Sequence, residues 1–181
     1  MNKKGLVLSV TEGFTLIELI LVMALLAILA IMLIGNFNAV LKKGRDAQRK
    51  NDLAQIQKAL ELYYEDNKTY PTFTDIFNKK LCKNTNCALG DTSYMIKTPG
   101  DPSSSKYTYI YAPAPVQNNT SSYYHLYSYI ENDQDQGPNT SMTGYINPVD
   151  ATTTECGIVT NNTYCRYYAA SSNAPQLTPA P

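Results

Sequence analysis

The chain lacks tryptophan and carries one histidine, His125, so it has no histidine cluster for a transition metal. It also lacks a glycine-rich phosphate loop and any motif for a nucleophilic serine or cysteine. His125 sits in a tyrosine-rich segment and reads as a sheet residue. Taken together, these absences argue that the protein is not an enzyme. No excess of one charge is present either, with 15 Lys and Arg against 15 Asp and Glu. From Leu53 onward the balance is eight bases to eleven acids, which disfavours a direct nucleic-acid binder. A further scarcity lies near the start. From Phe14 to Ile34 the only charged residue is Glu18.

That stretch is 21 residues long. As a helix it would span ~31 Å, about the thickness of a bilayer's hydrocarbon core. An acid inside such a run is unfavourable and calls for a partner. The run offers no base, so the partner must come from outside it. A secretory signal has a shorter apolar region followed by a small-residue cut site, and neither matches here. A plain single-span anchor accounts for the length of the run, but not for Gly13-Phe14 or Glu18. Charge asymmetry points the other way: Lys42, Lys43, Arg45, Arg49 and Lys50, against Asp46, outweigh Lys3 and Lys4, against Glu12. By the positive-inside rule alone residues 42–50 would be cytoplasmic.

The string Gly13-Phe14-Thr15-Leu16-Ile17-Glu18-Leu19, behind a short basic leader and joined to this apolar run, resembles the type IV pilins and type II secretion pseudopilins. The resemblance implies a leader over 1–13, cleaved by a prepilin peptidase between Gly13 and Phe14. It implies methylation of the new Phe14 amine and an assembly role for Glu18. The partners implied are a membrane assembly platform, minor pilins and further copies of the chain in a homo-oligomeric filament. The subunit would begin as a single-pass precursor in the inner or cytoplasmic membrane, with residues after 41 outside, and end in an extracellular or periplasmic filament. Motility pili, DNA-uptake pili and secretion pseudopili all share these features. The reading from another class is a membrane-anchored extracellular ligand-binding domain acting as a monomer.

Past the apolar run, Phe37, Leu41, Leu53, Ile56, Leu60, Tyr63 and Tyr64 recur at helical spacing. Asp52, Gln55, Gln57, Lys58, Glu61 and Glu65 are expected to surround this stripe. Tyr70-Pro71 stops the helix, because proline disfavours helical geometry in the residue before it. The expectation is one helix from about 14 to about 67, apolar all round in its first half and one-sided in its second. Gly35 is a weak point in it, as is Gly44. Residues 72–181 change character, and all fifteen tyrosines lie between 63 and 168. Tyr107–Tyr111 and Tyr123–Ile130 alternate with period two and predict antiparallel strands joined by a turn over 112–119. Met142–Ile146 and Thr163–Ala169 are weaker strand candidates. A tyrosine stripe can also stack on a ligand, though packing on the helix is the simpler use. Pro99-Gly100-Asp101-Pro102 is similar to the stretch that leads into the sheet of major pseudopilins. The fold class expected is α+β and pilin-like. Its parts are a leader (1–13), a filament-core or transmembrane helix (14–41), a head (42–170) and a disordered tail (171–181).

An even cysteine count in a small exported head suggests two disulfides among Cys82, Cys87, Cys156 and Cys165. Three connectivities are open. Pairing 82–87 and 156–165 is preferred because each pair flanks a short, turn-rich loop. The spacings do not form zinc knuckles, and no histidine lies close in sequence. Glu131, Asp133 and Asp135 alternate in a loop that also carries Asn132, Gln134 and Gly137. Oxygen ligands at every second position suit Ca²⁺, and the resemblance to major pseudopilins implies a calcium loop after a comparable strand. A solvated acidic turn is the plain alternative. No cofactor is required on this reading, and calcium is the one candidate.

Overall fold

The computed structural model describes residues 13–114, 120–145, 156 and 164–179, and only the backbone of 32–36. The leader residues 1–12 and the expected turn residues 115–119 lie outside it. The chain divides into two compact units, Met1–Val40 and Leu41–Pro181. One helix, α1 (Leu16–Asn67), supplies the first unit's regular structure and continues into the second.

In the first unit α1 starts at a cap. Thr15 precedes the first helical residue, and its Oγ1 accepts the Glu18 amide N–H at 3.3 Å. The Thr15 hydroxyl in turn donates toward Glu18 Oε2 at 3.5 Å. Thr15 and Glu18 thus occupy the N-cap and third helical positions, the spacing of a capping box. From Leu16 to Ile31 every side chain is exposed. Among the described residues no helix is long and apolar enough to cross a membrane.

In the second unit α1 becomes one-sided, but its buried face differs from the expected stripe. Leu53, Ile56, Leu60 and Tyr63 are buried as expected, Tyr64 is half-buried, and Ala59 joins the buried face. Phe37 and Leu41 are exposed, so the apolar stripe does not reach them. Its earlier turns are filled instead by Asp46, Arg49 and Asp52, three buried charged residues. They fall at intervals of three, on the same face as Leu53 and Ile56. The helix ends where Lys68 takes a positive φ of 56° and its amide closes back on the Tyr64 carbonyl, a left-handed C-terminal cap.

Two antiparallel sheets complete this unit. Strands β1 (Leu81–Cys82) and β2 (Ser93–Met95) form a two-stranded ribbon that the sequence reading did not foresee. Strands β3 (Ile110–Pro113), β4 (Tyr124–Ser128) and β5 (Tyr167–Ala170) form a three-stranded sheet in the order β3-β4-β5. Ile110 pairs with Tyr127 and Ser128 with Tyr167, so β4 is central. Pro113 has no amide hydrogen to donate and lies in β3, which pairs on one side only. The candidate strand at 142–146 holds, in its described part, one isolated bridge, Tyr145 to Pro179, and a second bridge joins Thr140 to Tyr167 just before it.

The amphipathic part of α1 packs on the β3-β4-β5 sheet, giving the α+β pilin-like arrangement. Leu53, Ile56 and Leu60 meet Tyr109, Tyr111, Tyr124 and Leu126 in one apolar cluster. The tyrosines are core residues with anchored hydroxyls. Tyr109 donates to Asp52 at 2.9 Å, Tyr70 and Tyr124 to Glu61, and Tyr111 to the Pro71 carbonyl. Buried phenols ordinarily find such partners, and the same burial raises the pKa of each of these four hydroxyls. Residues 171–179 make specific contacts with the head. Asn173 donates to the Ser122 carbonyl, Tyr168 to Gln176, and the Pro175 carbonyl meets His125 Nε2 at 3.0 Å. Leu177 packs against a second cluster built on Tyr145, Tyr168, Cys156 and Cys165.

Candidate functional site

Two sites emerge, one in each unit. The first is the start of α1. Gly13 has an ordinary φ, and a Cβ added there would meet nothing within 4 Å. Neither backbone geometry nor packing therefore explains a glycine at this position. Phe14 is 80% exposed, and the apolar surface behind it is uncovered all round. Burying that much hydrocarbon is worth about 25 cal/mol per Å², so this helix calls for an apolar environment that the monomer does not supply.

The second site is a charge cluster centred on Arg49, whose side chain is 0% exposed. Its Nε and Nη2 donate to the two oxygens of Asp101 at 2.8 and 3.0 Å, a bidentate fork. Its Nη1 donates to Asp46 at 2.7 Å, and Nη2 also lies 2.8 Å from Glu131. Asp46 accepts two further bonds, from the amides of Glu131 and Asn132 at 3.0 and 2.8 Å. Arg45 forms its own fork on Glu131 at 2.8 and 2.6 Å. The Arg45 hydrogen bond and the Arg49 charge hold the Glu131 carboxyl down to about 2. Burial disfavours the Arg49 cation, but the bonds to Asp101, Glu131 and Asp46 outweigh it and raise its pKa.

The same cluster takes up the remaining residues of the expected calcium loop. Lys50 Nζ binds Asp135 at 2.6 Å and lies over the Tyr167 ring. Arg166 Nη1 binds Asp133 at 2.6 Å while its guanidinium covers the Tyr129 ring. Burial pushes the Asp135 carboxyl up, yet Lys50 and the Gly137 amide hold it below its ordinary range. Glu131, Asp133 and Asp135 therefore point at separate cations and do not converge on one point. Among the described residues no group of three or more acidic, His or Cys side chains is placed to hold a metal ion. In this arrangement each of the three carboxylates is matched to a base of the chain itself.

Of the five bases at 42–50, Arg45, Arg49 and Lys50 are each paired with acids of the head. Asp101, in the Pro-Gly-Asp-Pro stretch singled out by resemblance, is the carboxylate that receives Arg49. Its neighbour Gly100 lies against the Asn78 side-chain amide, which a Cβ there would displace. Both disulfides take the preferred pairing, Cys82–Cys87 and Cys156–Cys165.

An apolar helix continued into an α+β head, opened by the Gly-Phe-Thr-x-x-Glu start, defines a prepilin-type filament subunit. The model of the family described as "Type II secretion system (T2SS), protein G" matches residues 36–143, and that of the prokaryotic N-terminal methylation motif matches 9–34. The chain belongs to the type II secretion system protein G family. It is 30% identical over 101 residues to the type II secretion system core protein G of Vibrio cholerae, covering 54% of this chain and 69% of that one. The core protein G of Aeromonas hydrophila is 30% identical over 95 residues, covering 50% and 66%. The type IV wide pilus major component PilA4 of Thermus thermophilus is 44% identical over 59 residues, covering 33% and 45%. No solved structure matches.

Proposed function

We propose that this filament subunit is made as a membrane-anchored precursor, cut between Gly13 and Phe14, and methylated on the Phe14 amine. It then assembles into a homo-oligomeric filament through the apolar half of α1. The observation that carries this reading is the exposure of every side chain from Leu16 to Ile31. Lipid covers this surface before assembly, and neighbouring helices cover it afterwards. Glu18 then meets the Phe14 amine of a neighbouring subunit, where a low dielectric strengthens the attraction between opposite charges. A prepilin peptidase, an assembly platform in the inner or cytoplasmic membrane, and minor pilins are the partners of this route. The assembled form is extracellular or periplasmic.

Intact mass and N-terminal sequencing of the protein from cells test the reading. The expected product begins with N-methylphenylalanine at position 14. It should be found in isolated surface filaments. A cut beyond the apolar run, or an uncut chain found only as a membrane monomer, would overturn the proposal in favour of an anchored ligand-binding domain.

A further inference from the structure

The loop from Glu131 to Gly137 has the acidic spacing of a cation site, yet its acids are already engaged. We propose that the chain's own bases, Arg45, Arg49, Lys50 and Arg166, close this loop in the place of a calcium ion, and that the loop takes no calcium.

The first support is the state of the oxygens. Both oxygens of Glu131 are held by Arg45, and one is shared with Arg49. Asp135 gives one oxygen to Lys50 and the other to the Gly137 amide at 3.0 Å. Asp133 gives an oxygen to Arg166, which also donates to the Ile130 carbonyl at 3.3 Å. A calcium ion needs six to eight oxygens gathered around one centre. Gathering them here would require breaking at least three charge-assisted hydrogen bonds.

The second support is charge. Asp46, Asp101, Glu131, Asp133 and Asp135 face Arg45, Arg49, Lys50 and Arg166, five acids to four bases. The near balance leaves little negative charge to attract a divalent cation, and the four bases would repel it. The third support is the origin of the bases. Three come from consecutive turns of α1 and one from the residue before β5, so the ion pairs tie the loop to both the helix and the sheet. A bound calcium would order the loop, and these bases already do so.

Hydrogen exchange of the purified full-length chain in detergent, read on peptides covering residues 131–137, tests the proposal. With millimolar calcium and with excess chelator the exchange should be the same. Arg45→Gln and Lys50→Gln, at partly exposed positions that the core does not need, should each speed exchange in these peptides. Two results would overturn the proposal. One is slower exchange of the loop in calcium than in chelator. The other is unchanged loop exchange in both variants. The readout is local to the loop and independent of processing and filament formation.

Discussion

At the scale of single residues, Glu18 combines a contact with the helix start and a charge, and the proposed assembly role must be told apart from capping. Its amide and carboxylate both engage Thr15 at the start of α1. Its charge is also the only one in the apolar run. Removing a threonine cap typically destabilises a helix by about 0.5–2 kcal/mol, a loss confined to the first turn. Removing the charge abolishes any attraction to a neighbour's amine. Glu18→Gln keeps a side-chain acceptor and loses the charge, whereas Thr15→Ala loses the cap and keeps the charge. The expected outcome is that both variants are cleaved, but only Thr15→Ala forms filaments, as counted by electron microscopy of sheared material. Filaments from Glu18→Gln and none from Thr15→Ala would assign the residue to capping instead.

At the scale of elements, the two disulfides close loops of different length, with sequence separations of 5 and 9. Chain-entropy arguments give roughly 2 and 2.6 kcal/mol for closing them. Replacing Cys156 and Cys165 with serine should therefore lower the thermal midpoint more than replacing Cys82 and Cys87. The difference should be larger than entropy alone suggests. Cys156 and Cys165 are buried in the second apolar cluster, and the Cys156 carbonyl accepts the Thr108 amide at 2.8 Å. Melting curves of the two double variants check the order. The elements themselves were unevenly legible in the sequence. The end of α1 could be read from Tyr70-Pro71, and β4 from strict alternation around His125. The short ribbon of β1 and β2 has no alternation to announce it. The burial of Asp46, Arg49 and Asp52 was hidden because charged residues on a helix ordinarily face water. Arg49 meets Asp101 across 52 residues and Arg45 meets Glu131 across 86, and nothing in local spacing tells which distant carboxylate meets which base. The partners of Glu131, Asp133 and Asp135 were hidden for the same reason, since the carboxylates were visible and their bases were not. The Pro, Ala and Ser content of the tail conceals the contacts of Asn173, Pro175 and Gln176.

At the scale of the whole molecule, the head should be labile in acid in two stages. Burial lowers the pKa of His125 below its ordinary 6.5, despite the bond to the Pro175 carbonyl. A lowered histidine stabilises the fold above pH 6.5, and the contribution is lost as pH falls toward the folded-state value. Glu131 follows the same sign: its folded-state value of about 2 lies below the ordinary 4.5, so its contribution is complete above 4.5 and disappears toward 2. The thermal midpoint should fall below pH 6.5 and then more steeply below 4.5. His125→Gln should remove the first limb and leave the second, as melts across a pH series will reveal. The cluster around Arg49 also bears on how the protein is made. The helix can coil as soon as its residues are synthesised, since its backbone bonds are local. Arg49 cannot leave water until Asp101 and Glu131 exist, because a buried arginine without its carboxylates is strongly destabilising. The ribosome must therefore deliver the chain past Glu131 before the helix can seat on the sheet. A prematurely terminated product keeps its cationic turn in solvent and its hydrophobic face open, a defect that degradation machinery recognises by exposure alone.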